Sequence, residues 1–189
     1  MPAAPKHRAA IVRAAATLFR QQGYAATGIN DIVGLSGAPK GSLYHYFPGG
    51  KEQIGEAAVA HAGEHAAKTL RRLAAGQPTA AALLRAYGEA RAGWMTDSGF
   101  REGCPIATVL LETAAQSDAM ASAGRAALAS WSEVVERALL RDGMEPTLAR
   151  TRARLAVAAL EGAMVQARVE RSGTPITDAA SAVAELFEL

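Results

Sequence analysis

The chain is expected to be all-α, and three observations carry that expectation. Alanine is abundant and β-branched runs are scarce, a composition that favours helix. Apolar residues recur at three- and four-residue steps, and no alternating strand pattern of useful length occurs. Glycine and proline separate the periodic stretches, as at Gly37, Pro48-Gly49-Gly50, Gly76-Gln77-Pro78 and Asp142-Gly143. At 189 residues the chain can bury a sizeable core in one or two compact units. Aromatics make up only 5% of it, so small aliphatics must fill most of the interior.

Residues 1 to 5 read as a short mobile arm. Lys6 to Gln22 then reads as a helix, with Ile11, Ala15, Leu18 and Phe19 on one face and Gly23 as its stop. Thr27 is the expected N-cap of the next helix, with Asn30 and Asp31 in the first turn, where acceptors and negative charge meet free backbone N–H groups. Ile29, Ile32, Val33 and Leu35 form its apolar side. Gly37 tolerates positive φ and permits a sharp turn, and Pro39 suits the first turn of a third helix. That helix is very short, about 13 Å from Pro39 to Phe47. Leu43 and Phe47 anchor it, which leaves Ser42, Tyr44, His45 and Tyr46 around its other faces. Hydroxyl, imidazole and aromatic groups are costly to bury together in so small a helix. They are well suited to lying against a polyanion, and the dimensions suit a major groove.

Pro39-Lys40-Gly41-Ser42-Leu43-Tyr44-His45-Tyr46-Phe47, followed by Lys51-Glu52, closely resembles the recognition helix and following turn of TetR-family repressors. Gly23-Tyr24, Thr27 and Asp31-Ile32 fall where that family has its glycine–aromatic, threonine and acidic–aliphatic positions. The resemblance covers about the first 55 residues. Ala38 departs from it where valine is commoner, and the loop Phe47-Pro48-Gly49-Gly50-Lys51 is one glycine longer than the usual pattern. By matching position, the resemblance implies that Lys40, Gly41, Ser42 and Tyr44 meet base edges or adjacent phosphates. Thr27, Tyr46 and Lys51 would clamp the DNA backbone, and His45 would either contact DNA or support the packing.

Lys51 to Ala75 reads as one long helix with Ile54, Ala57, Ala58, Leu70 and Leu73 apolar; in the resembling family it links head to body. Thr79 caps a further helix to about Met95, with Leu83, Leu84, Tyr87 and Trp94 inward. Asp97 to Gly103 is a polar loop. Helical patterns follow at Pro105 to Gln116, Asp118 to Arg141, Thr147 to Arg171 and Asp178 to Glu188, with Gly173-Thr174-Pro175 as a separator. Gly103-Cys104-Pro105-Ile106 resembles the LmrA/YxaF-like branch of the family. On the last two helices, Leu155, Ala159, Leu160, Ala163, Val183, Leu186 and Phe187 can form apolar seams. The resemblance implies that this pair makes a four-helix interface with a symmetry mate.

Up to Gly55 the chain holds six cations and two acids; the remainder holds 14 cations and 16 acids. A basic front on a slightly acidic back fits a DNA-binding head on a regulatory body. A single cysteine, Cys104, excludes an intrachain disulfide and fits a reducing compartment. The N-terminus lacks an apolar signal region and no apolar run is long enough to span a bilayer, so a cytoplasmic protein is expected.

Several residues carry a sharper reading and a plainer one. His61, Glu64 and His65 match the H-x-x-E-H pattern of one zinc-peptidase class. The plainer reading is a connector helix with His61 turned inward and Glu64 or His65 in water. Cys104 at a helix start has the setting of a redox sensor, yet a lone cysteine is more often a small buried hydrophobe. Arg150, Arg152 and Arg154 read as a solvated face. Tyr87, Trp94, Phe100, Cys104, Trp131 and Met164 are ordinary core or, given the ligand cavity the family implies, its lining. With no charged cluster assigned there, the expected effector is largely apolar or aromatic.

The expectation is therefore a three-helix DNA-binding head with a helix-turn-helix over residues 1–53, and a helical ligand-binding and dimerisation domain over 54–189. As the resemblance implies, this is a homodimeric repressor, paired through its two C-terminal helices and released from a palindromic double-stranded operator by a small effector. No catalytic group, metal or cofactor is expected. The alternatives are a metal-dependent hydrolase using His61, Glu64 and His65, and a DNA-binding protein without an effector.

Overall fold

The computed structural model describes residues 5–188, so all but Pro5 of the expected N-terminal arm lies outside the described residues. Among them every regular element is a helix: α1 (Pro5–Gln22), α2 (Ile29–Ser36), α3 (Lys40–Tyr46), α4 (Gly50–Gly76), α5 (Ala80–Asp97), α6 (Ala107–Thr113), α7 (Asp118–Arg141), α8 (Pro146–Glu170) and α9 (Thr174–Phe187). The all-α fold is as the sequence predicts.

Two compact units share these helices. The first runs to Gly63 and also takes in Cys104–Ala127; the second holds Glu64–Gly103 and the chain from Leu128 on. In the first, Ile11, Ala15 and Phe19 of α1, Ile32 of α2, Leu43 of α3 and Phe47 just after it are all essentially sealed from solvent. The helix starts differ from expectation. Gly28, and not Thr27, is the N-cap of α2, and its N–H donates to Asp31 Oδ2 at 2.8 Å. Thr27 is fully buried, its hydroxyl donating to Gly23 O at 2.7 Å and accepting from Gln22 Nε2 at 3.3 Å, so its oxygen is tied to the end of α1 and does not cap α2. Pro39 sits one position earlier than expected, at the N-cap of α3. Gly37 takes the left-handed conformation that closes α2, as the tight turn requires.

In the second unit α5 and α8 both pack on α9. Ala149, Ala153, Ala156, Leu160, Ala163 and Ala167 are the buried face of α8, and small side chains at three- and four-residue steps permit close helix approach. Gly88 of α5 serves the same end, since a Cβ there would lie 2.4 Å from Ala180 Cβ of α9. Thr79 caps α5 as expected, accepting from Ala82 N at 3.1 Å. Two boundaries move. α6 is only seven residues long, and α9 starts at Thr174, four residues early. Gly173-Thr174-Pro175 is thus a helix entry and not a separator, because proline is accommodated in a first turn whose N–H groups lack helical partners. Trp94, expected inward, is 46% exposed.

Candidate nucleic-acid interface and body cavity

α3 is held by two anchors. Leu43 points into the core from mid-helix and Phe47 plugs it at the end, its N–H donating to Leu43 O at 2.8 Å. With only seven residues, those anchors use up the inward face. Lys40, Gly41, Tyr44 and His45 are consequently exposed, Tyr44 by 50%, and Ser42 and Tyr46 are half-buried. The His45 and Tyr46 rings meet edge-on at 5.1 Å, so His45 both faces out and packs. Arg8 of α1 lies with its guanidinium 5.4 Å from the Phe47 ring centroid, which brings another cation to the end of α3.

The extra glycine has a local explanation. Gly49 N donates to Gln53 Oε1 at 3.0 Å, and Gly50 becomes the first residue of α4. Lys51 thereby falls in the first turn of α4. Its ammonium sits 4.4 Å over the Tyr24 ring and donates to Ala25 O at 3.3 Å. Burial lowers its pKa, an effect the Glu112 carboxylate opposes. Burial also raises that of Tyr24, with Glu52 adding to the shift. Of the residues singled out in the sequence, then, Lys40, Gly41, Ser42, Tyr44, His45 and Tyr46 share one short helix. Lys51 is half-buried beside the turn that enters α2, and Thr27 is turned inward.

The second unit contains a cavity lined by Leu70 of α4, Leu84, Tyr87 and Arg91 of α5, Trp131 and Val135 of α7, and Ala156, Val157 and Leu160 of α8. Its free space is about that of one water molecule. Tyr87 and Trp131, both named from the sequence, are among the residues that line it. Trp94 is not part of the lining but packs edge-on against Tyr87 at 6.5 Å. Phe100 lies in the loop after α5 with positive φ, and Cys104 is buried in the other unit, its sulfur accepting from Ala107 N. Met164 touches Arg91 from the α8 side.

Sequence reading missed a charged pair here. Arg91 Nη2 donates to Glu161 Oε1 at 2.8 Å, with the two side chains only 6% and 17% exposed. The Tyr87 ring and hydroxyl flank the guanidinium. This corrects the view that no charge belongs to the site. Separation by 70 residues hid the pair, and the one available signal was an arginine at the i+4 position from Tyr87, on the apolar side of α5.

His61, Glu64 and His65 are all exposed, against the expectation that His61 turns inward. Glu64 instead pairs with Arg71 at 2.7 Å. Among the described residues no group of histidine, cysteine and acidic side chains is placed to hold a metal, and no helix is long and apolar enough to cross a membrane.

The profile of the bacterial regulatory proteins of the tetR family matches residues 11–58, and that of the transcriptional regulator LmrA/YxaF-like C-terminal domain matches residues 80–182. The chain belongs to the TetR family. An HTH-type transcriptional regulator from Mycobacterium tuberculosis is 39% identical over 177 residues, covering 91% of this chain and 88% of the relative. The HTH-type transcriptional regulator LmrA of Bacillus subtilis is 30% identical over 181 residues, covering 96% of each. The fold agrees with solved structures: a TetR transcriptional regulator from Legionella pneumophila gives a TM-score of 0.83 at 17% identity, covering 97% of each chain. Regulatory protein TetR from Rhodobacter sphaeroides gives 0.81 at 24% identity, covering 94% of this chain and 96% of that one. As a TetR-family member the chain is a DNA-binding transcriptional regulator and not an enzyme, so the hydrolase reading of His61, Glu64 and His65 is set aside.

Proposed function

We propose that this TetR-family regulator is a cytoplasmic homodimeric repressor that holds a palindromic operator and releases it when a small molecule enters the body cavity. The observation that carries the reading is the exposed polar and aromatic face of α3 beside Lys40. Lys40, Gly41, Ser42, Tyr44 and His45 meet base edges and adjacent phosphates; Tyr46 and Lys51 hold the backbone. Thr27, with its hydroxyl turned inward, supports the entry to α2 in place of touching DNA. DNA reading belongs to residues 1–53, and effector binding and pairing belong to 54–189.

One head reading one half-site gains little specificity, so pairing follows from the task. α8 supports it. Leu148, Leu155, Gly162 and Val169 recur every seven residues and are exposed, with Val165 beside them. A seven-residue apolar or small-residue repeat on a solvent face is what a partner helix covers. Of the seam named from sequence, Leu155 and Leu186 remain outward, whereas Leu160, Ala163 and Val183 are used inside the chain.

The effector is an apolar or aromatic body carrying one uncharged polar group. The cavity wall is aliphatic and aromatic apart from Arg91, whose charge Glu161 already balances. A charged ligand would leave an uncompensated charge in a dry site, whereas a carbonyl or hydroxyl oxygen can accept from the guanidinium at no such cost. Because the free space is so small, entry must spread the helices that line it. In a dimer the recognition helices must meet major-groove faces about 34 Å apart. A ligand favouring the spread state by a few kcal/mol weakens operator binding by orders of magnitude.

The test is to select bound duplexes from a randomised library, then add neutral, acidic and basic aromatic compounds of matched size. Neutral compounds should release the duplex and raise thermal stability in the same order. A body that takes up none of them, with DNA binding intact, would favour an effector-independent DNA-binding protein.

A further inference from the structure

The turn between α1 and α2 is held by a carboxylate that lies 88 residues further along the chain. Glu112, near the end of α6, accepts from Tyr24 N at 2.9 Å through Oε1 and from Ala25 N at 2.7 Å through Oε2. Both oxygens are used, each on a consecutive N–H, a charge-assisted arrangement that fixes orientation as well as position. Gly23 makes room for it. The residue has φ +87°, which favours glycine, and a Cβ there would stand 2.6 Å from Glu112 Oε1, so a larger residue would displace the carboxylate from the turn.

The rest of the turn is tied to the same frame. Lys51 covers Tyr24 and takes Ala25 O, and Thr27 closes back on Gly23 O. The turn delivers directly into Gly28, the N-cap of α2. α6 lies in the sequence matched by the C-terminal family profile, yet it packs in the same compact unit as α1 to α3.

We propose that Glu112 is a positioning residue for DNA reading: by gripping the Tyr24–Ala25 turn it sets where α2, and α3 after it, stand against the duplex. Glu112 itself, with both oxygens on the turn, is not a base or phosphate contact. Its effect therefore has a sign that a surface charge would not give. Removing an acid from a DNA-binding head strengthens attraction to phosphates and, acting by charge alone, tightens binding to every duplex. Losing a positioning residue weakens the selected duplex while leaving random duplex unharmed.

Glu112→Gln is the test variant. Its amide keeps one acceptor but turns an N–H2 group towards a backbone N–H, which breaks one of the two bonds. With the full-length protein and a duplex enriched from a random library by the wild type, affinity should fall about tenfold, while binding to random duplex holds or rises slightly. Amide hydrogen exchange should accelerate at Tyr24 and Ala25. Glu112→Ala should do both more strongly, and Leu111→Ala, its exposed neighbour, should do neither. Circular dichroism and thermal melting verify that the variants are folded at the assay temperature. Equal or tighter binding of the enriched duplex by folded Glu112→Gln, or unchanged exchange at the two amides, overturns the proposal.

Discussion

Tyr44 and Tyr87 are the same residue in opposite circumstances. Tyr44 sits on a seven-residue helix whose inward face is exhausted by two anchors, and half of it is in water. Tyr87 sits on an 18-residue helix that packs against α8 and α9, and it is buried with its hydroxyl beside a guanidinium. A short helix on a small core must show its side chains, and under the proposed function those form the reading surface. A long helix among neighbours must hide them, and any polar group among them needs a partner. The difference also sets what substitution does: the head should lose binding without losing fold, and the cavity should lose fold first.

The largest effect expected from that contrast is on DNA. Tyr44→Ala should cost about 2–4 kcal/mol of selected-duplex affinity across the two heads of a dimer, with an unchanged melting temperature. Next is the buried pair. Arg91→Ala leaves Glu161 without its countercharge and should cost about 3 kcal/mol in urea unfolding, and Arg91→Met with Glu161→Met should recover most of it. A mild effect of the single variant would mean that water reaches the pair.

A smaller effect belongs to Lys51. Lys51→Ala should weaken all duplexes about equally and lower the salt slope by about two counterions per dimer. A slope that stays the same while stability falls would assign this lysine to the Tyr24 turn alone. The smallest is at the entry to α8. Glu145 accepts from Thr147 N and Leu148 N, bonds that lower its pKa below the usual glutamate value. A depressed carboxylate contributes stability above its unfolded pKa and loses it as pH falls through the folded one. Glu145→Gln should thus be less stable than the wild type at neutral pH, with the gap closing in acid.

Legibility in the sequence followed the range of the interactions. The helix-turn-helix was readable because its signals are local: Gly37, Pro39 and the pair Leu43 and Phe47 lie within eleven residues of one another. Trp94 differs from expectation because the buried stripe of α5 ends on Arg91, Ala92 and Met95, and the indole lies off that stripe. Gly173-Thr174-Pro175 reads as a break in the sequence because the same residues that stop one helix also start another. Arg91 with Glu161, and Glu112 with the Tyr24 turn, were invisible for one shared reason. Each joins residues 70 or more positions apart, and the stretch around either residue does not say what it pairs with.

Under the proposed function, the exposed face of α3 reads duplex DNA. Selection from a randomised library, carried out side by side for the wild type and Tyr44→Ala at low ionic strength, tests it most directly. The wild type should enrich an inverted repeat whose half-site centres lie about one helical turn or a multiple apart, and Tyr44→Ala should lose that enrichment while still folding. No enrichment by the folded wild type, or the same repeat recovered equally well by both proteins, would contradict it.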